Sequence, residues 1–330
     1  MITNQPLTLP TYNFDAASEV RQATSADSDY SRVIREIYLR RLIDGTVKQN
    51  EAQAVATGIS IMDLNDGRVL YSHNENTEQF AASINKLPVA LLLLEDLRAG
   101  KIRMGQMVSW AESDRRGGFG DFDQPGSPLQ APLRDVVYDM LHNSGNTAVR
   151  VSVNNVLGGP YAVNDRWATK PQLARTRLQP LDATRFYLGN STPHDSLWAI
   201  RQLTKRQDAP AVFMRDAMKD NIFVDFGVRS QLPDSDFLIL VNKIGLLDDA
   251  EGNNRHDVGI IYNTRTHRPY AYALMTTAPY NAGDPAATLR ADQSLKDIGG
   301  ALFRFAGGSK RVGGQTSSEV RNYVETRMRY

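Results

Sequence analysis

The sequence predicts an α+β protein: a five-stranded antiparallel sheet flanked by helices, with an all-α domain inserted into it. Three observations favour this fold. A hairpin signal lies in the first quarter of the chain, a run of helical patterns fills the middle, and three strand patterns follow near the end. Strands joined by short turns pair antiparallel, so five strands form one sheet only if both ends of the chain contribute to it.

The first elements are a helix and a β-hairpin. After a polar arm, apolar residues follow helical spacing from Tyr30 to Leu42. The strand patterns Thr57–Leu64 and Arg68–Tyr71 then flank the turn Asn65-Asp66-Gly67. Asp-Gly tolerates the positive φ that a tight hairpin turn requires, so this hairpin is predicted directly from the local sequence.

A buried helix is predicted next, from Ser83 to about Leu97. Its stretch Leu87–Leu94 is apolar nearly all round, which is typical of a central helix. The later elements are a loop at Arg115–Pro128, helices at Leu133–His142 and Asn146–Leu157, an irregular stretch at 161–190, helices from Thr192 to Lys205 and at Ala209–Lys219, strands at Phe237–Lys243, Val258–Asn263 and Tyr270–Thr277, and a last helix at Pro285–Phe305.

This order of elements predicts a discontinuous organisation. Residues 31–82 and 206–305 would form the sheet domain, and residues 83–205 the all-α domain inserted between them. Residues 1–30 would be an N-terminal arm, and residues 306–330 a polar C-terminal tail. A ligand cleft is expected where the two bodies meet.

The composition excludes several classes of function. The chain has 330 residues, a formal net charge of +1 and no cysteine. Near-zero charge gives no field for nucleic acid, and the absence of thiols excludes disulfides, thiolate metal sites and cysteine nucleophiles. The longest apolar run, Leu87–Leu94, is too short to span a bilayer, and the start of the chain lacks the pattern of a secretory signal. We therefore expect no membrane span, no nucleic-acid partner and no metal or cofactor.

The first candidate for catalytic chemistry is the pair Ser83 and Lys86. A spacing of three residues places both side chains on one face of a helix. A lysine whose pKa is lowered by burial or by a neighbouring cation can accept the proton of a serine hydroxyl. Ser83 also opens the predicted helix, where backbone N–H groups favour developing negative charge.

Two further motifs lie at junctions between elements. Ser144-Gly145-Asn146 falls in the break between two helices, and Lys243-Ile244-Gly245 ends a strand. Taken singly, the first is a common helix cap and the second a common strand end. Ser-x-x-Lys, Ser-x-Asn and Lys-x-Gly in this order resemble the signature of class A β-lactamases and penicillin-binding proteins. The resemblance covers about residues 31–305.

The resemblance implies a β-lactamase/transpeptidase-like fold and a role for each motif residue. Ser83 would be the nucleophile and Lys86 its activator, while Ser144 would relay a proton to the leaving nitrogen. Asn146 would hydrogen-bond Lys86 or the substrate amide, and Lys243 would supply positive charge near Ser144 and the substrate carboxylate. Gly245 and Leu246 belong to the third motif, in which the backbone N–H of Leu246 would join that of Ser83 in the oxyanion hole.

The sequence departs from the family pattern at two places. Ile244 and Leu246 stand where the family usually has hydroxyl side chains that bind a substrate carboxylate. That recognition would move to Arg255 or His256, of which arginine has the better geometry for a carboxylate. No Glu lies between residues 146 and 204, so Asp182 is the candidate for the carboxylate that activates the deacylating water.

The function expected from this resemblance is a class A type serine β-lactamase that forms and hydrolyses an acyl-enzyme on Ser83. One alternative is a penicillin-binding D-alanyl-D-alanine peptidase or transpeptidase with slow deacylation. Another is a catalytically impaired module that binds peptidoglycan or a β-lactam. In each case the partner is a small-molecule β-lactam or a peptidoglycan stem peptide, the protein is expected to be monomeric, and the resemblance implies an extracytoplasmic location.

Overall fold

The computed structural model describes residues 29–232, 238–249, 252–279 and 286–307. Their centre is a five-stranded antiparallel sheet of order β2-β1-β10-β9-β8. The strands are β1 (Ala56–Asp63), β2 (Val69–His73), β3 (Gln79–Phe80), β4 (Met107–Ser109), β5 (Gln130–Pro132), β6 (Arg177–Pro180), β7 (Phe186–Ser191), β8 (Leu238–Asp249), β9 (Gly252–Asn263) and β10 (Arg268–Ala278). The predicted fold class is confirmed, because strands from both parts of the chain share one sheet.

Eight α-helices lie within the described residues. They are α1 (Asp29–Ala52), α2 (Lys86–Arg98), α3 (Leu133–His142), α4 (Asn146–Val151), α5 (Pro160–Ala168), α6 (Pro193–Thr204), α7 (Ala209–Lys219) and α8 (Ala286–Phe305). Helices α1 and α8 pack on one face of the sheet, where Leu39, Ile43 and Ile298 are fully buried. The larger apolar cluster lies on the other face and surrounds α2.

Helix α2 is as buried as its apolar sequence predicts. Leu87, Leu92, Leu93 and Leu94 have no exposed surface. The helix begins at Lys86 rather than at Ser83, because Ala82–Asn85 forms a 3₁₀ turn that precedes it. Ser83 therefore lies in a tight turn at the entrance to a helix held on all sides by the core.

The predicted all-α domain is only mainly helical, which corrects the prediction for residues 83–205. Four short strands, β4 to β7, lie within it. Strands β6 and β7 form a hairpin that adds β3 as a third strand, while β4 pairs with β5. The stretch 161–190 was expected to be irregular because of its prolines. Instead Pro171 begins a short 3₁₀ turn, Pro171–Leu173, where a missing N–H is tolerated, and Pro180 ends β6.

The end of β8 and the start of β9 also differ from the boundaries that the sequence predicts, Lys243 and Val258. β8 extends to Asp249 and β9 begins at Gly252, although this stretch is polar. These residues are nevertheless buried and bonded to side chains of other elements: Asn253 to Thr288, Asn254 to Thr277 and Arg255 to Asp292. Most of the predicted N-terminal arm and C-terminal tail, and the predicted ends at Phe237 and Pro285, lie outside the described residues.

Candidate active site

The three sequence motifs meet at one point, and Lys86 is at its centre. Its Nζ lies 3.0 Å from Ser83 Oγ and 3.0 Å from Asn146 Oδ1. It also lies 3.1 Å from Ser144 Oγ and 2.5 Å from the backbone oxygen of Ser144. A single ammonium or amine group thus contacts both serine hydroxyls of the first two motifs.

Lys243, from β8, completes the cluster from the opposite side. Its Nζ donates to Ser144 Oγ over 2.8 Å and to the backbone oxygen of Ile244 over 2.9 Å. Ser144 therefore lies between two lysines. Its φ of 61° is in the left-handed region, which is uncommon for a residue other than glycine and is often found at functional sites.

Burial controls the protonation of both lysines. Lys86 and Lys243 have at most 1% of their surface exposed. Loss of hydration lowers the pKa of Lys86 to about 7, although Asp123 and Asp139 oppose this shift. Burial, together with the nearby charge of Lys86, also lowers the pKa of Lys243. A neutral amine is thereby accessible near neutral pH, and it can take a proton from a hydroxyl.

Asp123 holds the second motif in place, and sequence reasoning missed this residue. Its carboxylate accepts hydrogen bonds from the backbone N–H groups of Asn146 (3.0 Å), Thr147 (2.7 Å) and Gly120 (2.9 Å). It caps the N-terminus of α4 from a loop about 23 residues upstream. A cap at that separation has no local spacing signal, and the sequence shows only another Asp in a polar loop.

Gly145 is required by close packing beneath the same motif. A Cβ at this position would lie 2.2 Å from Asp139 Oδ2, closer than any real contact. Asp139 is buried and cannot move aside, because its other carboxylate oxygen accepts hydrogen bonds from Asp121 N and Asn143 Nδ2. Burial raises the pKa of the Asp139 carboxyl. The Gly in Ser144-Gly145-Asn146 therefore permits the motif to lie directly on α3.

Gly145 has a counterpart in Gly245, which lets β8 approach the turn that carries Ser83. A Cβ on Gly245 would lie 3.0 Å from the backbone oxygen of Ala81 and 3.1 Å from Ile84 Cγ2. On its other side the turn is tied to β7, since Asn85 Nδ2 donates to the backbone oxygen of Leu188 over 2.6 Å. Ser83 is thus fixed between β8 and β7.

Ser83 opens into a cavity of about 320 Å³, a size suited to a small molecule. Its lining is mostly apolar and aromatic: Phe80, Ala82, Ser83, Arg116, Gly117, Phe119, Ser144, Asn146, Val149, Arg150, Phe186, Tyr187, Leu188, Phe223, Ile244, Leu246 and Leu247. Among the predicted site residues, Ser83, Ser144, Asn146 and Leu246 line this cavity, and the two lysines lie beneath it.

Asp182 does not reach this cavity, which corrects its assignment as the water-activating carboxylate. It lies in the exposed turn between β6 and β7. Its carboxylate accepts from Thr184 N (2.9 Å) and pairs with Arg185 Nε (2.5 Å) and Arg185 N (2.7 Å). These bonds hold the pKa of the Asp182 carboxyl well below its usual value. The position of Asp182 in the sequence suits a water-activating carboxylate, but the β6–β7 hairpin directs its side chain towards Thr184 and Arg185.

Arg255 and His256 are also committed elsewhere, which corrects their assignment to substrate recognition. Arg255 makes a two-pronged ion pair with Asp248 (2.6 and 2.8 Å) and a third bond to Asp292 Oδ1 (2.8 Å). His256 is fully buried, and its Nε2 lies 2.7 Å from the backbone oxygen of Phe80. Burial lowers the pKa of His256 to about 4, so it is neutral at pH 7.

Metal-binding clusters and membrane-spanning helices are both absent from the described residues. In those parts of the chain, no cluster of three or more His, Asp or Glu side chains is arranged to hold a metal ion. None of the helices described is both long enough and apolar enough to cross a membrane.

Solved structures of other proteins share this fold. One similar structure is a β-lactamase from Sphaerobacter thermophilus, with 22% identity, a TM-score of 0.66, and coverage of 81% of this chain and 97% of that one. A β-lactamase from Xanthomonas campestris pv. campestris has 20% identity, a TM-score of 0.68, and coverage of 83% and 99%. A PBP-A mutant in an acyl-enzyme complex with penicillin G has 16% identity, a TM-score of 0.66, and coverage of 81% and 95%.

The family follows from the sequence match. A comparison with curated proteins returned no match. The model of the beta-lactamase enzyme family, however, matches residues 38–305, which is most of the chain and includes all three motifs. The chain belongs to the beta-lactamase enzyme family.

Proposed function

We propose that this protein is a serine enzyme that is acylated by β-lactams at Ser83 and releases the acyl group slowly. The observation that carries the proposal is the contact of 3.0 Å between Ser83 Oγ and the Nζ of a fully buried lysine. Lys86 has a pKa of about 7, so a large fraction of it is neutral at physiological pH and can serve as a base.

Acylation proceeds by one bond exchange and one proton transfer. Ser83 Oγ attacks the lactam carbonyl, its proton passes to Lys86 Nζ, and the ring C–N bond breaks when the leaving nitrogen is protonated. Ser144 Oγ, within 3.1 Å of both lysine nitrogens, is placed to relay that proton. The proton lost by the nucleophile is therefore gained by the leaving nitrogen, and no cofactor is needed.

The developing oxyanion is assigned to the backbone N–H groups of Ser83 and Leu246. The close approach of Gly245 to Ala81 and Ile84 supports this assignment, because it brings β8 against the Ser83 turn. Removing a donor of this kind typically costs about 2.7–4 kcal/mol of transition-state stabilisation.

Slow release of the acyl group is inferred from the walls of the cavity. Within the described residues no Asp or Glu lines it, and Asp182 is bound to its own turn. A water near the ester would then lack a general base, so hydrolysis would be slow. This observation favours the second candidate function, a penicillin-binding D-alanyl peptidase or transpeptidase. The PBP-A structure, an acyl-enzyme complex with penicillin G, agrees with it.

Time-resolved intact mass spectrometry with penicillin G tests this proposal. We expect the protein mass to rise by the mass of the drug and to remain raised for minutes or longer. Ser83→Ala, which removes only one oxygen, is the matched control and should give no adduct. Rapid return to the free mass with loss of the drug would instead establish an efficient β-lactamase. Equal behaviour of the wild type and Ser83→Ala would overturn the assignment of Ser83 as the nucleophile.

Because β-lactams and stem peptides are encountered outside the cytoplasm, we also propose an extracytoplasmic location.

A further inference from the structure

The charge of the cavity wall is entirely positive. Among the described residues that line it, Arg116 and Arg150 are the charged ones, and neither an Asp nor a Glu accompanies them. Lys86 and Lys243 lie buried beneath the same surface. A cleft with low-dielectric walls that is lined by positive charges alone attracts an anionic ligand.

The two arginines differ in their availability. Arg150 is buried and its Nε lies 3.2 Å from Asp114 Oδ1. Arg116 is exposed, and its Nη1 donates to the backbone oxygens of Arg115 (2.9 Å) and Ser113 (3.3 Å). In the described part of the chain, no carboxylate lies within ion-pair distance of Arg116. Its guanidinium can therefore still bind one.

The backbone of Arg116 is held firmly beside the catalytic groups. Its N–H donates to Thr147 Oγ1 over 2.9 Å, and Thr147 Oγ1 donates back to its carbonyl oxygen over 3.3 Å. The next residue, Gly117, accepts a bond of 2.9 Å from Asn146 Nδ2. Asn146 in turn contacts Lys86. The backbone of the arginine is thus fixed to the second motif, while its guanidinium is bonded to backbone oxygens and has no carboxylate partner among the described residues.

The side chains that the third motif presents to the cavity cannot supply the same interaction, and Lys243 is buried and bonded to Ser144 and Ile244. Ile244 and Leu246 present apolar side chains to the cavity, and Arg255 is neutralised by two carboxylates. Arg150 is already paired with Asp114, so of the two arginines that line the cavity Arg116 is the one placed to offset the desolvation of a substrate carboxylate. Arginine suits this role, because its planar group can bind a carboxylate through two parallel hydrogen bonds.

We propose that Arg116 binds a carboxylate of the acyl donor, so that this protein selects anionic acyl donors through the wall beside the second motif. The proposal rests on the function proposed above. Phe119 and Phe223, whose ring centroids are 5.4 Å apart, provide an apolar surface in the same cavity for the body of the substrate.

Acylation by penicillin G and by its methyl ester tests the role of Arg116. The ester keeps the lactam and the side chain but removes the negative charge. Arg116→Ala should lower the acylation rate constant with penicillin G about 10- to 100-fold, the effect of losing a charged hydrogen-bonded pair. With the methyl ester the change should be about twofold or less. Arg116→Lys should be intermediate, because it keeps the charge and loses the planar group.

The matched control is Arg103→Ala, which removes an exposed arginine outside the cavity lining and should leave both rate constants unchanged. Equal losses with the acid and the ester in Arg116→Ala would indicate a structural role and overturn the proposal. Unchanged rate constants would overturn it as well.

Equilibrium binding separates this proposal from the acylation mechanism. In the Ser83→Ala background, which cannot be acylated at Ser83, calorimetry should show penicillin G binding about 10-fold or more weaker when Arg116 is also replaced. If the wild type forms no adduct with either ligand, the proposed function fails, and this binding comparison still decides the role of Arg116. Equal affinities with and without Arg116 would overturn it.

Discussion

The pH dependence of acylation provides the most direct test of Lys86 as the base. Its pKa is lowered from 10.5 to about 7 by burial. The reaction requires the neutral amine, so the rate should rise about tenfold per pH unit below pH 7 and then level off. At pH 5, two units below this pKa, about 1% of the lysine is neutral and acylation should be about 100-fold slower than on the plateau.

Stopped-flow measurement of the second-order rate constant with penicillin G, from pH 5 to pH 10, gives the profile. Lys86→Ala should lower the plateau by about 100- to 10,000-fold, the usual contribution of a general base, and should remove the inflection. Lys101→Ala is the matched control, because the Lys101 ammonium is exposed and its pair with Asp96 is 3.7 Å long. A rate that climbs steadily to pH 10, or one that does not change, would refute the reasoning.

Three other changes test the surroundings of the site. Gly245→Ala places a Cβ 3.0 Å from the backbone oxygen of Ala81, so it should slow acylation and reduce the free energy of unfolding in urea by about 1–3 kcal/mol; unchanged values would contradict the packing. The pKa of His256 is about 4 in the fold and about 6.5 in the unfolded chain, so its neutral form stabilises the protein above pH 6.5 and about 3 kcal/mol is lost as the pH falls to 4. His256→Gln should therefore flatten the acid-side loss of unfolding free energy, and parallel curves would contradict this. Asp182→Asn should leave the deacylation rate, followed by mass spectrometry, within about twofold, because Asp182 bonds within its own turn and does not line the cavity, and loss of a surface pair costs little stability; a tenfold loss would restore its catalytic role.

Much of the fold was predictable because its signals are local. The Asp66-Gly67 turn, the apolar run in α2 and the Thr192 cap of α6 depend on residues close in sequence, and each predicted element is present. The β6–β7 hairpin was not predicted, because its strands carry no strict apolar alternation. The polar extension of β8 and β9 was not predicted either, since it is stabilised by side chains such as Asp292 that come from other elements.

For the candidate site, the sequence by itself determined the residue types and their order. Ser83 with Lys86, Ser144 with Asn146, and Lys243 with Gly245 follow from spacing at the junctions of elements. The tertiary structure decided which charges are left unpaired. Arg255, Asp182 and Arg116 are all charged residues in polar stretches. The sequence analysis assigned Arg255 to carboxylate recognition and Asp182 to water activation, and it assigned no role to Arg116.

The physical reason is that the pairing of a charge depends on the folded backbone, which acts across the fold for Arg255 and within the β6–β7 turn for Asp182. Asp248 and Asp292 form ion pairs with Arg255, and Arg185 forms one with Asp182. Arg116 lines the cavity, and no carboxylate among the described residues pairs with it. The sequence thus determined which serines and lysines form the candidate site, whereas the folded chain decided that the charged side chains lining its cavity, among the described residues, are two arginines and no carboxylate.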